Sequence, residues 1–209
     1  MIIKKENINE YEKLYRASFG NSISGFKSAN LIGTISKEGK TNLAIFNSVI
    51  HLGANPPLMG FLIRPVSVER HTYTNIKETN HFTINHINKE IFNQAHQTSA
   101  RYEKDISEFD SCGLTPEYTE TIKAPYVKES KIKIGLKFLE EQKIKFNGTI
   151  FIVGEIQEAI LPDEVILADG FVDIEKAGTI TISGLDSYHE TNKIARLSYA
   201  KPGEVPKEF

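Results

Sequence analysis

Polar and apolar residues along this chain alternate more often with a period of two than with a period of three to four. Ile132, Ile134, Leu136 and Phe138 alternate strictly with Lys131, Lys133, Gly135 and Lys137, the pattern of a half-buried strand. Ala29 to Ser36 is apolar and β-branched, and Thr41 to Val49 carries Leu43, Ala44, Ile45 and Phe46. The polar stretch Lys37-Glu38-Gly39-Lys40 between them predicts a hairpin. Leu58 to Ile63 is a continuous apolar run after the rigid Asn55-Pro56-Pro57, and reads as a buried strand. Phe82, Ile84 and Ile87 predict another strand, and Thr179 to Ile182 alternates again. Lys143–Phe146 and Thr149–Ile156 flank Asn147-Gly148, which predicts a hairpin with a type I′ turn, since both turn positions need positive φ.

Helical signals are short and scattered. Tyr11, Leu14, Tyr15 and Phe19 share one face of a helix over residues 8–20, with Gly20 and Gly25 closing that stretch. His71–Thr79 reads as a helix, Asn88 as the cap of another running through Ala95, and Ser107-Glu108-Phe109 as the start of a helical turn. Ala100 to Lys128 reads as a polar surface excursion, and the tail from Pro202 as loose. Strands do not alternate regularly with helices, so a doubly wound parallel sheet is excluded. The expectation is mainly β: one antiparallel barrel decorated by short helices. No linker, repeat or low-complexity tract divides residues 1–209, which form one domain with its core over about residues 24–200.

Composition narrows the chemistry. Of 209 residues, 40% are hydrophobic, enough for one full core, and the net charge of −2 argues against a general nucleic-acid binder. The single cysteine, Cys112, can form neither an intramolecular disulfide nor a zinc site of the CxxC type, and reads as a small buried hydrophobe. The N-terminus shows no signal peptide and no run is apolar enough for a membrane helix, so a reducing cytoplasm is the expected compartment. Neither a GxGxxG fingerprint, a GxxxxGK[ST] loop, an HExxH nor a GxSxG elbow occurs, and no two of the six histidines stand at a strong metal-ligand spacing. Any enzymatic chemistry is therefore expected from a bound organic cofactor.

Four constellations offer such a site. Gly39 to Ser48, followed by Asn55-Pro56-Pro57-Leu58, ends a strand in small and amide residues, which suits the rim of a flat heterocycle or simply caps a loop. Arg64 to Ile76 gathers Arg64, Arg70, His71 and Thr72 around a helix start, where N–H groups and arginine forks attract a phosphate monoester. The alternative is a solvated loop with an ordinary cap. Gln94 to Ala100 places Thr98 and Ser99 at a helix end, either beside a ligand or as C-terminal caps. Gly184 to His189 and Arg196 to Ala200 bring Tyr188 and Tyr199, suited equally to ring stacking and to packing.

Taken in order, these segments resemble the flavin reductase-like, FMN-binding split-barrel family, which includes flavoredoxins and NAD(P)H:flavin oxidoreductases. The resemblance rests on Asn42-Leu43-Ala44-x-Phe46-Asn47-Ser48, Asn55-Pro56-Pro57-Leu58, Arg70-His71-Thr72-x-x-Asn75-Ile76 and Phe82-Thr83-Ile84-Asn85. It continues through Thr98-Ser99, Ser107-Glu108-Phe109, Gly113-Leu114-Thr115, Ala124-Pro125-Tyr126-Val127-Lys128-Glu129-Ser130 and Val153-Gly154-Glu155-Ile156. It spans roughly residues 24–200, and Asn47 departs from a closer Phe-Ser pairing. The resemblance implies FMN bound at the interface of a homodimer. Asn47, Ser48 and Val49 would face the isoalloxazine, Arg64, Arg70, His71 and Thr72 would hold the phosphate, and Thr98 and Ser99 would lie near the ring or ribityl chain. It further implies hydride transfer from NADH or NADPH to flavin and onward delivery to free flavin or a partner oxygenase. His96, His189 or Arg196 would then supply charge near the reduced ring. A non-enzymatic FMN-binding electron carrier or sensor, or a barrel that binds another phosphorylated ligand, would use the same pocket.

Overall fold

A computed structural model describes all residues, Met1 to Phe209. Two short helices, α1 (Lys5–Glu10) and α2 (Lys13–Ser22), lead into strands β1 (Lys27–Ser28), β2 (Asn30–Ile35), β3 (Thr41–Phe46), β4 (Ile50–Ala54) and β5 (Pro57–Ile63). Helix α3 (His71–Thr79), strand β6 (His81–His86), and helices α4 (Phe92–Gln97) and α5 (Glu108–Cys112) follow. Then come β7 (Pro116–Glu117), β8 (Tyr126–Val127), the long pair β9 (Lys133–Lys143) and β10 (Ile150–Ile160), and finally β11 (Thr181–Ser183) and β12 (Ser187–His189). No helix is long and apolar enough to cross a membrane.

Seven strands form one sheet in the order β3-β2-β6-β9-β10-β5-β4, with every pairing antiparallel. The outermost strands, β3 and β4, are joined in sequence by only Asn47, Ser48 and Val49. So short a connection between opposite edges forces the sheet to curl until its ends meet. The ends do not hydrogen-bond to each other, so the barrel is split along that seam. Register shifts at Val153/Gly154 and Ile156/Glu158 bend β10, as bulges do. Gly154 lies where the curve brings Phe82 close: a Cβ there would stand 2.6 Å from Phe82 Cζ.

Strand alternation sends alternate residues to two separate cores. Ile32, Phe61, Phe82, Ile84, Leu136 and Ile152 fill the barrel, joined by Ile76 of α3. Leu31, Leu43, Ile87, Phe109, Val127 and Ile182 form a second core outside it, under α4, α5 and β11. Gly33 faces that outer layer, and a Cβ on it would meet Pro125 O at 2.2 Å, so the covering segment can lie flat only against a glycine.

The mainly β, split antiparallel barrel with short peripheral helices agrees with the reading of the sequence, but several local expectations need correction. The helix expected over 8–20 is two helices that break at Tyr11-Glu12, and the second runs through Gly20 to Ser22. Asn88 does not cap α4; its Oδ1 accepts from Glu90 N at 3.1 Å and its Nδ2 donates to Glu129 O. Residues 100–128 are no mere surface excursion, since Phe109, Leu114, Ile122 and Tyr126 are buried. The turn at Asn147-Gly148 is not type I′. Only Gly148 has positive φ, the loop closes from Gly148 N to Ile144 O, and the Asn147 side chain accepts from Thr149 N instead. The tail is paired rather than loose, with Leu197 bridged to Glu208 and Ser198 N bonded to Lys207 O.

Candidate functional site

Helix α3 starts where the chain leaves β5 at one end of the barrel. Arg70 is its N-cap in extended backbone, φ −130° and ψ 96°, and the Thr74 N–H closes the first turn on Arg70 O. The N–H groups ahead of Thr74 have no helical partner, and the helix dipole adds positive potential there. The Nε of Arg70, the N-cap residue itself, is buried with no hydrogen-bond partner in the protein. Leaving a buried charged donor unmet costs at least about 1–3 kcal/mol, so this group is free to receive an acceptor.

Thr72, one turn-step further on, is buried. Its Oγ1 accepts from Asn42 Nδ2 at 3.1 Å. Asn42 also donates to Thr34 Oγ1 at 3.3 Å, and Asn75 Nδ2 donates to the same oxygen at 3.1 Å. This polar cluster lies at one end of the barrel, beyond the apolar core around Ile32, Phe61 and Phe82. His71 is half-buried and lines a polar pocket with Lys40, Asn42, Asn75 and Lys104. Arg64 is exposed just past the end of β5.

α5 docks against β3 beside this cluster. The Leu43 N–H donates to the Glu108 carboxylate at 2.9 Å, and Thr41 Oγ1 lies 2.7 Å from Ser107 Oγ. Burial pushes the Glu108 carboxyl above the usual carboxylate range, against the opposing pull of the Leu43 N–H and of His71.

The seam holds Asn47, Ser48 and Val49. Asn47 Nδ2 donates to Gly184 O at 3.1 Å, tying β3 to the turn between β11 and β12. Ser48 Oγ accepts from Leu62 N at 3.1 Å and donates to Leu62 O at 3.3 Å. Ser48 Oγ is engaged within the protein as both donor and acceptor, whereas Asn47 keeps its Oδ1 and one N–H free beside the backbone of this segment. From Asn42 to Asn47 the strand covers roughly 16 Å at about 3.3 Å per residue, which joins the cationic corner to the seam along one edge.

The remaining expected residues are more dispersed. Thr98 is buried and donates to Ala95 O at 2.8 Å, an ordinary helix-end cap, while Ser99 is exposed beyond it. His96 Nδ1 lies 2.9 Å from the Tyr188 hydroxyl, and His189 Nε2 lies 2.8 Å from Ser183 Oγ. Arg196 pairs with Asp169 and stacks over Phe171 at 4.0 Å, and Tyr199 is exposed. Sequence reasoning did not single out Asn42, Asn75 or Glu108 as site residues. The available signal was polarity out of place: Asn42 shares its strand face with Ala44 and Phe46, where alternation calls for an apolar residue.

A seven-stranded antiparallel sheet curled into a split barrel, with short helices around it, defines the fold class, and comparison with known proteins gives it a family. The model of the flavin reductase like domain matches residues 24–172, and the chain belongs to that family. A flavin reductase-type protein with a split barrel domain from Shewanella frigidimarina NCIMB 400 superposes with a TM-score of 0.92 at 55% identity, over 96% of this chain and 100% of its own. Nitrilotriacetate monooxygenase component B from Bacillus cereus shares the fold at 19% identity, with a TM-score of 0.82 over 94% and 98% of the two chains. Flavoredoxin of Desulfovibrio vulgaris (Miyazaki F) does so at 23% identity, with a TM-score of 0.70 over 85% and 91%.

Proposed function

We propose that this protein binds FMN and acts as an NAD(P)H-dependent flavin reductase, working as a cytoplasmic homodimer. The observation that carries the reading is Arg70 Nε, a buried cationic donor without an acceptor at the open start of a nine-residue helix. A phosphate monoester meets that need, with the Thr72 hydroxyl and the first N–H groups of α3 donating beside it, Arg64 adding positive charge and His71 a ring nitrogen. The strand edge of β3 then leads toward the seam, where the backbone of Asn47, Ser48 and Val49 would read the rim of the ring. Membership of the flavin reductase-like family supports the same ligand.

Bound flavin supplies the redox chemistry, accepting hydride from NADH or NADPH and yielding electrons to free flavin or a partner oxygenase. The work of this chain is to hold the phosphate, fix the ring at the seam and keep the nicotinamide in line with it. None of its side chains need exchange a proton with the substrate. The homodimer is supported by apolar side chains left uncovered: α1 and α2 bury no residue, and Leu14, Tyr15, Ile50 and Leu52 are exposed.

Anaerobic stopped-flow mixing tests the activity. Rapid bleaching of the bound flavin absorbance by NADH or NADPH is expected. Inertness toward both would make the protein an FMN-binding carrier or sensor, and a colourless protein that refuses added FMN would overturn the ligand itself. Sedimentation at micromolar concentration is expected to give twice the protomer mass.

A further inference from the structure

We infer that Asn42 is a positioning residue for phosphate recognition, acting through the hydroxyl of Thr72; this rests on the phosphate reading of the helix start. A threonine hydroxyl has one proton to give and two lone pairs to receive with. Asn42 Nδ2 occupies a lone pair of Thr72 Oγ1 at 3.1 Å. No acceptor inside the protein takes the proton of Thr72 or of Thr34, whereas Thr79, in the same helix as Thr72, gives its proton to the Asn75 carbonyl. Of the two free hydroxyls only that of Thr72 stands in the first turn of α3, where it is left to donate to a ligand at the helix start.

The amide that holds it is itself fixed. Its second N–H goes to Thr34 Oγ1, which also accepts from Asn75 Nδ2, so strands β2 and β3 and helix α3 share one network. Asn42, Thr34, Thr72 and Asn75 are all buried, with exposures of 7% or less, which shields these bonds from water. The next residue on the same strand, Leu43, is anchored through its N–H to Glu108, so the backbone carrying Asn42 cannot drift. A donor aimed in advance discriminates a phosphorylated flavin from one that ends in a plain hydroxyl, because only the former offers an anionic acceptor there.

The experiment measures dissociation constants of FMN and riboflavin for the full-length protein carrying Asn42→Ala, Thr72→Val and both together. Asn42→Ser, which is smaller but still polar, serves should the alanine variant not fold. Asn42→Ala is expected to weaken FMN about five- to tenfold, the scale of one lost neutral hydrogen bond, and to leave riboflavin unchanged. In the Thr72→Val background the same change is expected to add nothing further to the loss of FMN affinity. Equal weakening of both flavins would reduce Asn42 to a structural role and overturn the proposal. Additive losses would overturn it too, by showing that Asn42 acts independently of Thr72. Wild-type protein that binds FMN no better than riboflavin would instead remove the phosphate reading itself, a failure that appears before any variant is made.

Discussion

Helices α2 and α3 have almost the same length, ten and nine residues, and each carries its apolar side chains to one side, yet they end in opposite surroundings. α3 buries Thr72, Asn75 and Ile76, and Ile76 is a full member of the barrel core. α2 has no buried residue: Leu14 is 82% exposed, and the rings of Tyr15 and Phe19 meet that of Tyr11, with centroids 4.6 and 5.5 Å away. The difference lies in connection. α3 is strung between β5 and β6, two strands of the barrel, so the open barrel end is the first surface it meets. α2 precedes the barrel and leads into it through β1, an edge of the small three-stranded sheet, with only its last residue, Ser22, reaching the β11–β12 turn at Gly184. An apolar stripe states that a helix needs a surface, and topology decides whether the same chain provides one.

Four measurements press on that contrast. Ile76→Ala should have the largest effect, lowering unfolding free energy by about 2–5 kcal/mol, as truncation in a closed core does. A urea midpoint near that of the unaltered protein would show α3 to be as loosely held as α2. Arg70→Ala should leave folding nearly intact and weaken FMN binding by about 1.5–3 kcal/mol, read by fluorescence quenching of free flavin. Unchanged affinity would remove α3 from the site.

Glu108→Gln should act more weakly and through pH. Burial raises the folded carboxyl above its ordinary value of 4.5, so the folded chain holds that proton at pH values where the unfolded chain has released it. Stability therefore falls as pH rises from the ordinary value through the raised one. Glutamine still offers an oxygen to Leu43 N–H but does not titrate, so the fall should flatten when denaturant midpoints are followed from about pH 4 to about pH 8. An unaltered slope would place the pH dependence elsewhere. Leu14→Ala should move protomer stability by no more than about 0.5 kcal/mol, because it removes no intramolecular burial. If a second copy covers α2, the same substitution should shift the monomer–dimer equilibrium in sedimentation, and a thermal midpoint that drops at fixed oligomeric state would mean α2 is docked after all.

Much of the barrel was legible because its signals are local. His71–Thr79 is a helix over the range its sequence predicts, ended by Asn80 in the left-handed region at φ 59°. The strict alternation around Leu136 marks a strand, although Lys133 is buried against Glu117 where a solvent face was expected. The hairpin at Asn147-Gly148 shows where local rules stop. Asn-Gly favours type I′ in a two-residue loop, but β9 and β10 stop pairing at Lys143 and Ile150, which leaves a longer loop and only one residue that needs positive φ. Thr98 likewise has the composition of a ligand contact and the geometry of a cap.

By itself the sequence determined the elements: alternation set the strands, spacing set α3, and Arg70, His71 and Thr72 stood out as candidates at its start. Tertiary structure alone decided that Asn42 would meet Thr72 across thirty residues, that Arg70 Nε would be buried without a partner, and that Asn47 would tie the seam to Gly184 while Ser48 bonds Leu62. The reason is physical. Period and propensity act between neighbours in sequence, whereas desolvation and hydrogen-bond accounting act between neighbours in space, and those exist only once the sheet has curled.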